Sequence, residues 1–320
     1  MPALMSRFAD LLAASPGLSI LVGQIARVAA TARTTVLIQG ESGSGKELVA
    51  RAIHELSPRS ERGFVALNCA ALTEGLLEAE LFGYEGGAFT GGDPRGREGL
   101  LHAAEGGTLV FDEIGELAGG LQAKLLRALQ ERVYRRIGAR EERAFDVRVI
   151  ASTHRDLGRE VAAGRFREDL FYRLNVLSLA VPALRERPQD ILPLSRRFLA
   201  RAASEFGREV QGLSPAAVTA LELHAWPGNV RELENTLQRA VLMGSGPWIE
   251  VDDLSLGAVR SPASADDVVA IGDRSLRCVE QNLIRRVLAE SSGNRSRAAS
   301  VLGINRTTLY AKLKTYGIAG

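Results

Sequence analysis

The chain has 320 residues, of which 46% are hydrophobic and 24% charged, a composition typical of folded globular proteins with two or three domains. Its net charge of +2 is unevenly distributed, because residues 271–320 carry +6 and the first 270 residues carry −4. This asymmetry predicts a small basic module that binds a polyanion. The alternative is a basic face that is only solvated. No apolar run reaches the ~18 residues of a membrane span, and the two distant cysteines, Cys69 and Cys278, match no disulfide framework or metal site, so we expect a cytoplasmic protein that does not contact membranes.

The first half of the chain predicts an α/β domain. Apolar, β-branched runs predict strands at residues 34–39, 64–68, 108–111, 147–152 and 176–181. Helical patterns lie between them, for example over residues 121–129. Strands that alternate with helices form a parallel sheet that is covered on both faces.

After Pro188 the pattern becomes entirely helical. Apolar spacing predicts helices at residues 191–206, 214–224 and 230–243. We therefore divide the chain into an α/β subdomain at 1–184, a helical lid subdomain at 185–254, a Gly-, Ser- and Pro-containing linker at 255–272 and a C-terminal domain at 273–320. Only about fifteen residues precede the α/β pattern, too few for a receiver or small-molecule sensing domain of usual size. We expect that control comes from a separate protein or ligand, with a shortened chain as the alternative.

A glycine-rich segment between the first predicted strand and a helix fits a phosphate-binding loop. Its glycines let successive backbone N–H groups point at phosphates, the helix N-terminus adds partial positive charge, and Lys46 would reach the terminal phosphates. The general pattern ends in Ser or Thr, which binds magnesium, and here that position is Glu47, so either the metal is held elsewhere or the match is accidental. The nucleotide-binding residues expected from this loop are Gly40, Glu41, Ser42, Gly43, Ser44, Gly45, Lys46 and Glu47.

An acidic pair supplies the second half of such a site. The apolar run 109–111 ends in Asp112 and Glu113. Asp112 is placed to hold Mg²⁺, and Glu113 to orient or deprotonate an attacking water. The pair could instead only cap a helix or a turn, but together with the glycine-rich loop it favours nucleotide hydrolysis.

Seven motifs that occur in order carry a family resemblance. They are GESGSGKELVARAIH (40–54), LNCAAL (67–72), ELFGYEGGAFTGG (80–92), GGTLVFDEIGEL (106–117), FREDLFYRLNV (166–176), LRERPQDI (184–191) and WPGNVREL (226–233). Over roughly residues 15–250 the chain resembles the central domain of bacterial enhancer-binding proteins, the AAA+ ATPases that activate RNA polymerase carrying sigma-54. In that family the phosphate-binding loop ends in Lys-Glu, so Glu47 fits. The resemblance implies an AAA+ P-loop NTPase fold with a parallel sheet and a helical lid, and ATP and Mg²⁺ as cofactors.

The resemblance also implies roles for residues around the nucleotide. Asn68 would hydrogen-bond Glu113 and swing it toward or away from the water, although an Asn at a strand end could instead cap a turn. Thr153 and His154 match a sensor at the end of the fourth strand, where many relatives have Asn in place of His154. Arg231 matches the sensor arginine that ties the lid to the nucleotide.

Two arginines match the family's arginine fingers. Arg167 and Arg173 would reach across a ring interface to the γ-phosphate held by the neighbouring subunit. A guanidinium supplied in trans stabilises the phosphoryl transition state and makes hydrolysis depend on assembly. Surface pairing with a nearby carboxylate such as Asp169 is the alternative. The resemblance therefore implies a homo-oligomer, a hexameric ring when active and a dimer when inactive.

The segment GAFTGG resembles the family's sigma-54-binding loop, which normally reads GAFTGA. Phe89 and Thr90, between flexible glycines, would make the contact with the partner. Gly92 replaces the final Ala and is expected to loosen the loop. A second departure lies near the N-terminus, where Leu12 and Ala13 take the place of the family's usual Ile-Gly adenine contact.

The C-terminal residues predict three short helices. Apolar residues recur at helical spacing over 276–288, Asn294 can cap a second helix and Asn305 a third. Two short helices joined by a turn form a helix-turn-helix, whose second helix lies in the major groove of DNA. The segment GNRSRAASVLGINRTTLYAKLKTYGI, residues 293–318, resembles the Fis-type DNA-binding domain found at the C-terminus of many enhancer-binding proteins.

The third helix carries the residues expected to contact DNA. Arg306 and Thr307, near its N-terminus, are best placed for base edges, and its lysines suit phosphates. The full set is Arg306, Thr307, Thr308, Tyr310, Lys312 and Lys314. A helical hairpin that serves only dimerisation is the alternative, and the first helix is expected to supply a dimer interface as well.

Together these features predict a sigma-54-dependent transcriptional activator. The C-terminal domain would bind upstream enhancer DNA, and ATP hydrolysis in the ring would move the loop against sigma-54 RNA polymerase and convert a closed promoter complex into an open one. The alternative is a DNA-binding regulator for which nucleotide is only an oligomerisation ligand; such relatives would be expected to lack the partner loop or the arginine fingers. A motor acting on DNA, such as a helicase or loader, is a third class, but the sequence shows no second DNA-binding loop to support it.

Overall fold

The computed structural model describes residues 16–88, 93–256, 284, 287–288 and 294–316. These residues belong to two units, 1–256 and 257–320, each of which is described by itself. Among the described residues, no helix is both long enough and apolar enough to cross a membrane.

The elements are numbered in chain order. The strands are β1 (Val36–Gln39), β2 (Phe64–Asn68), β3 (Gly83–Tyr84), β4 (Arg97–Glu98), β5 (Thr108–Asp112), β6 (Val133–Tyr134), β7 (Arg143–Ala144), β8 (Arg148–Thr153), β9 (Leu177–Ala180), β10 (Gly212–Leu213) and β11 (Trp248–Ile249). The helices are α1 (Pro16–Ala29), α2 (Lys46–Glu55), α3 (Glu74–Phe82), α4 (Leu100–Ala103), α5 (Gly119–Glu131), α6 (Leu157–Ala162), α7 (Glu168–Leu174), α8 (Ile191–Phe206), α9 (Pro215–Leu223), α10 (Asn229–Met243), α11 (Val251–Leu254), α12 (Arg295–Val301) and α13 (Arg306–Tyr316).

The central sheet has the strand order β2-β5-β8-β1-β9, and every neighbouring pair is parallel. The five predicted strands and the parallel sheet are confirmed, with ends that differ by one or two residues. For example, β1 begins at Val36 rather than at residue 34, because Val36 is the first residue that pairs with β8, opposite Ile150. The short antiparallel pairs β3–β4 and β6–β7 were not predicted, since two-residue strands are too short to show alternation.

The two faces of the sheet bury separate cores, because alternate side chains of a strand point to opposite faces. Leu37 and Phe111 pack with α3, α5 and α7. Ile38 and Val110 pack with α1 and α2 on the other face. With helices on both faces, the carboxyl ends of β1, β5 and β8 form the open edge at which the polar motifs converge.

The predicted lid helices are confirmed as α8, α9 and α10. They pack around Trp226, which is fully buried and donates its indole N–H to the Leu221 carbonyl at 2.9 Å. Two non-glycine residues beside this core, Trp226 and Asn229, adopt left-handed backbone conformations with φ of 49° and 53°. The turn that begins α10 is therefore fixed by its surroundings rather than by local preference.

The second unit contains the predicted helix-turn-helix, formed by α12 and α13. Ala298 and Leu309 meet in a small core that also contains the helical residues Ile284, Val287 and Leu288. The rest of the predicted helix at 276–288 lies outside the described residues. Gly303, at φ 66°, lies in the turn that follows the end of α12.

Candidate nucleotide-binding site and DNA-binding helix

The predicted phosphate-binding loop connects β1 to α2 at the carboxyl edge of the sheet. Gly43 and Gly45 have φ of 75° and 108°, conformations that glycine adopts without steric cost. The loop borders a cleft of about 640 Å³, a size typical of small-molecule sites. Residues of the loop, the acidic pair and the lid line this cleft, including Gly43, Lys46, Asp112, Glu113 and Arg231.

Lys46 lies buried at the floor of the cleft. Its Nζ donates to the Gly40 and Glu41 carbonyls at 2.9 and 3.2 Å and lies 3.5 Å from Glu113 Oε1. The ammonium is thus held between the phosphate-binding loop and the acidic pair, where it can contact a terminal phosphate. Glu47 is exposed, one residue into α2, and pairs with Arg51 at 3.2 Å.

Asp112 ends β5 and accepts a hydrogen bond from Ser152 Oγ at 2.6 Å. Mg²⁺ is usually bound by one or two carboxylates together with substrate phosphates and water. No cluster of three or more His, Cys, Asp or Glu side chains that could hold a metal occurs in the described part of the chain. Asp112, a single carboxylate in the lining of the cleft, fits an ion shared between protein and nucleotide.

Glu113 follows directly, in a left-handed conformation with φ 54°. Its Oε2 accepts hydrogen bonds from His154 N at 3.1 Å and from His154 Nδ1 at 2.6 Å. Burial raises the pKa of Glu113, but the His154 hydrogen bonds and the charge of Lys46 outweigh it, so the pKa lies below its ordinary value. The carboxylate is thus held in a fixed orientation, and the sequence pattern did not reveal that His154 is its partner.

Asn68 lies opposite Asp112 in the pairing of β2 with β5. Its Oδ1 accepts a hydrogen bond from Ala70 N at 2.8 Å, as in an Asx turn. A contact with Glu113 is not among the hydrogen bonds formed by the described residues. The predicted switch role of Asn68 stays a prediction, and the local geometry matches the alternative of a turn cap.

The sensor residues take different positions. Thr153 is fully buried at the end of β8, and its hydroxyl accepts from Arg155 N at 3.0 Å. Arg231, exposed on α10, donates to Ser42 Oγ at 3.2 Å and so bridges the lid and the phosphate-binding loop. This contact places the Arg231 guanidinium at the cleft, as its expected role requires.

The candidate arginine fingers lie outside the cleft of their own chain. Arg167, just before α7, pairs with Asp169 through Nε at 3.0 Å and Nη2 at 2.7 Å, which is the alternative contact considered above. Arg173 donates to the Leu129 carbonyl at 2.8 Å. Neither lines the cleft formed by the same subunit, an arrangement compatible with action on a neighbour.

The side chain of Glu41 turns toward the lid. It accepts hydrogen bonds from Arg185 Nη1 at 2.8 Å and Asn229 Nδ2 at 3.1 Å. These bonds, from Arg185 first, lower the pKa of Glu41 to about 2. Arg185 and Asn229 lie within two of the sequence motifs, but their contacts with the loop were not predicted.

The loop that contains Phe89 and Thr90 lies outside the described residues at positions 89–92. Its base is described: Glu85 N donates to the Ile137 carbonyl at 3.0 Å, and Ile137 N donates to the Gly83 carbonyl at 2.9 Å. The β6–β7 hairpin thus braces the base of the loop.

The helix α13 presents most of the expected DNA-binding residues. Arg306, Thr307 and Tyr310 are exposed, Thr308 and Lys312 are half-buried, and the side chain of Lys314 is outside the described set. Asn305 Oδ1 accepts from Thr308 N and from both threonine hydroxyls at 2.7–2.8 Å, which confirms the predicted helix cap. The Arg295 guanidinium lies 5.2 Å from the Tyr310 ring, and its hydrogen bond to the phenol lowers the Tyr310 pKa. The sequence did not indicate this contact between α12 and α13.

Comparison with known proteins agrees with these observations. Residues 11–180 match the Sigma-54 interaction domain, residues 185–269 the AAA+ ATPase lid domain, and residues 275–316 the Fis family of bacterial regulatory proteins.

Relatives similar to nearly the whole chain include the transcriptional regulatory protein ZraR of Klebsiella oxytoca, which is 51% identical. The alignment covers 93% of this chain and 67% of ZraR. The regulatory protein AtoC of Escherichia coli (strain K12) is 47% identical, with 98% of this chain and 68% of AtoC aligned. The crystal structure of NtrX from Brucella abortus in complex with ATP is 34% identical, has a TM-score of 0.74 and covers 95% of this chain and 68% of NtrX.

The family matches lie on the same segments as the sheet with its loop, the lid helices and the helix-turn-helix, in the same order. Half-identical relatives extend across all of these segments. The chain belongs to the sigma-54-dependent transcriptional regulators and carries their ATPase, lid and Fis-type DNA-binding domains.

Proposed function

We propose that this regulator hydrolyses ATP in a ring of identical subunits, bound to enhancer DNA, and uses the hydrolysis to convert the closed complex of sigma-54 RNA polymerase into an open one. The observation that carries the proposal is the fixed position of Glu113, between Lys46 at 3.5 Å and His154 at 2.6 Å, in the lining of a cleft of nucleotide size. A carboxylate held this way can orient an attacking water and accept its proton.

The chain's own residues supply the remaining parts of the reaction. The loop N–H groups and Lys46 would bind the phosphates, and Arg231 would hold the nucleotide from the lid. Asp112 would hold Mg²⁺, which supplies charge neutralisation on the phosphates when bound. Glu113, fixed by His154, would take the proton of the attacking water.

Assembly would complete the site. Arg167 and Arg173 lie outside their own cleft, so they would act on the nucleotide of the neighbouring subunit. Arg167 would exchange its exposed Asp169 partner for phosphate, an exchange that costs little because surface ion pairs contribute ~0–1 kcal/mol. Hydrolysis is then limited to the ring, for which we propose six subunits, with the dimer as the inactive form.

Two elements would connect hydrolysis to transcription. Phe89 and Thr90, in the loop whose base is braced by the β6–β7 hairpin, would contact sigma-54. Arg306 and Thr307, at the start of α13, would reach base edges of the enhancer, while lysines farther along the helix contact phosphates.

The proposal is tested by ATPase rate per subunit measured against protein concentration. We expect turnover to rise steeply as the ring assembles, and Lys46→Ala to abolish nucleotide binding and turnover together. Retention of sigma-54 on the immobilised protein with a nucleotide transition-state mimic is the second readout. Turnover that is independent of concentration, or no retention of sigma-54, would contradict the proposal. Nucleotide binding without any turnover would favour a regulator that uses nucleotide only as an oligomerisation ligand.

A further inference from the structure

Five consecutive carbonyl groups of the phosphate-binding loop are held by hydrogen-bond donors. When the N–H groups of such a loop point at phosphate, the carbonyls of the same peptides point away. Lys46 Nζ binds the first two, at Gly40 and Glu41. The next three, at residues 42–44, are bound from the side of the lid.

The three lid-side bonds come from the start of α10 and from the turn before α8. They are Asn229 Nδ2 to the Ser42 carbonyl at 3.1 Å, Val230 N to the Gly43 carbonyl at 3.0 Å and Arg187 Nη2 to the Ser44 carbonyl at 2.8 Å. The approach is close, since a Cβ on Gly43 would lie 2.4 Å from the Gly228 carbonyl oxygen. Only glycine at position 43 lets the lid come this near.

Asn229 is the residue at which these contacts meet. Its amide is fully buried, and its Oδ1 accepts from Leu184 N at 2.8 Å. Its Nδ2 donates to both the Ser42 carbonyl and Glu41 Oε2 at 3.1 Å, and Arg185 binds the same Glu41 carboxylate. The side chain of Asn229, the first residue of α10, thus joins the phosphate-binding loop to the turn that begins the lid.

The backbone of Asn229 supports a role beyond packing. Its left-handed φ of 53° is uncommon for a residue with a side chain and persists where the surroundings fix it. Asn tolerates this conformation better than most residues.

We propose that Asn229 is a positioning residue through which the lid orients the three peptide groups that link residues 42–45. Their N–H groups would then face phosphate, so that the position of the lid sets nucleotide affinity. This inference rests on the proposed function, because nucleotide must bind in this cleft. A donor on each carbonyl polarises the peptide and restricts its rotation, which pre-organises the N–H groups. Loss of the donor therefore raises Kd and KM, while kcat at saturating ATP is unchanged because Lys46, Asp112 and Glu113 keep their contacts.

The test is Asn229→Asp. Aspartate keeps the left-handed tolerance and the acceptor for Leu184 N, but it replaces the Nδ2 donor with an anionic oxygen that faces Glu41. We expect calorimetric titration with ADP to show about a tenfold rise in Kd, equivalent to ~1.4 kcal/mol. The KM for ATP should rise with it, while kcat at saturation is unchanged.

Asn235→Asp is the matched control, because Asn235 is exposed on the same helix, α10, and the change introduces the same charge. The double variant Asn229→Asp with Glu41→Gln separates charge from hydrogen bonding: it removes the facing charge but leaves the Ser42 carbonyl without its donor, so its affinity for ADP should stay low. Asn229→Gly, which keeps the left-handed backbone, tests the same loss of donor if Asn229→Asp unfolds below the assay temperature.

An unchanged Kd in Asn229→Asp and Asn229→Gly would overturn the inference. A loss of kcat equal to the rise in KM would also overturn it, since it indicates general structural damage. A double variant that binds ADP as tightly as the wild type would overturn it as well, because the loss would then come from charge repulsion and not from the missing donor. A wild-type protein that binds no ADP would instead overturn the proposed function.

Discussion

At the scale of single residues, the orientation of Glu113 is set by residues distant in sequence. Its backbone is left-handed, and two hydrogen bonds from His154 hold the carboxylate in place. The bond from the backbone N–H of residue 154 does not depend on its side chain. Mutation of His154 can therefore remove the imidazole bond to Glu113, at 2.6 Å, and leave the backbone bond in place.

His154→Ala should lower kcat about tenfold, a fraction of the 10²–10⁴ that a well-placed general base contributes, because the second donor to Glu113 is lost. The KM for ATP should change little, since His154 touches neither the loop nor Lys46. Steady-state ATPase assays at assembled concentrations measure both. His154→Asn, which keeps a short donor, should recover part of kcat, and an Asn variant as slow as Ala would count against a positioning role.

At the scale of elements, Arg148 joins the sheet to the end of α1. It is fully buried on β8 and donates to the last carbonyls of α1, at Val28 (2.7 Å) and Ala29 (3.3 Å). Burial, and then the nearby Arg59, lower the pKa of Arg148 to about 10, so it stays charged at neutral pH. The guanidinium thus supplies the donor for the Ala29 carbonyl and a further donor for the Val28 carbonyl, which also accepts from the Thr31 N–H and hydroxyl.

Arg148→Ala should lower the free energy of unfolding by about 3 kcal/mol, because it leaves the Ala29 carbonyl without its donor and removes a charged donor from the Val28 carbonyl. Urea denaturation followed by circular dichroism measures this loss. Arg33→Ala is the control, because the Arg33 side chain is 70% exposed and its pairing with Asp146 should contribute little. Equal effects of the two changes would contradict the capping role of Arg148.

Elements with a strong local pattern could be predicted from the sequence. The helix α8 was predicted with its observed bounds because its apolar spacing is regular over sixteen residues. The phosphate-binding loop was located because its glycines lie between a strand and a helix. The cap of α13 by Asn305 was predicted for a similar reason, since a cap depends on neighbours only three residues away.

Contacts between distant segments could not be predicted from residue patterns. Asn229 meets Ser42 across 187 positions, and nothing local to either residue indicates the pairing. The same holds for His154 and Glu113, which are 41 positions apart. Asn68 shows the opposite case, because a backbone N–H two residues away satisfies its side chain locally.

At the scale of the whole molecule, the proposed division of the site between subunits has a direct test. Lys46→Ala and Arg167→Ala proteins should each be inactive alone. When the two are mixed, some interfaces pair an intact Lys46 cleft with an intact Arg167 finger, so ATPase activity should reappear. An Arg167 that acts within its own subunit would give a mixture as inactive as its components.

Arg165→Ala is the control for this experiment, because Arg165 is exposed two positions before Arg167 and pairs with Glu160 at 2.7 Å. It should be nearly as active as the wild type. Activity lost equally in the Arg165 and Arg167 variants would show a disturbed segment rather than a missing finger.

Hydrolysis at Glu113, not nucleotide binding alone, would open the promoter. Permanganate footprinting of a sigma-54 promoter, with polymerase, ATP and either wild-type or Glu113→Gln protein, distinguishes the two. We expect Glu113→Gln to bind ATP as tightly as the wild type yet produce no melted promoter. Melting by Glu113→Gln to the wild-type extent would contradict the account.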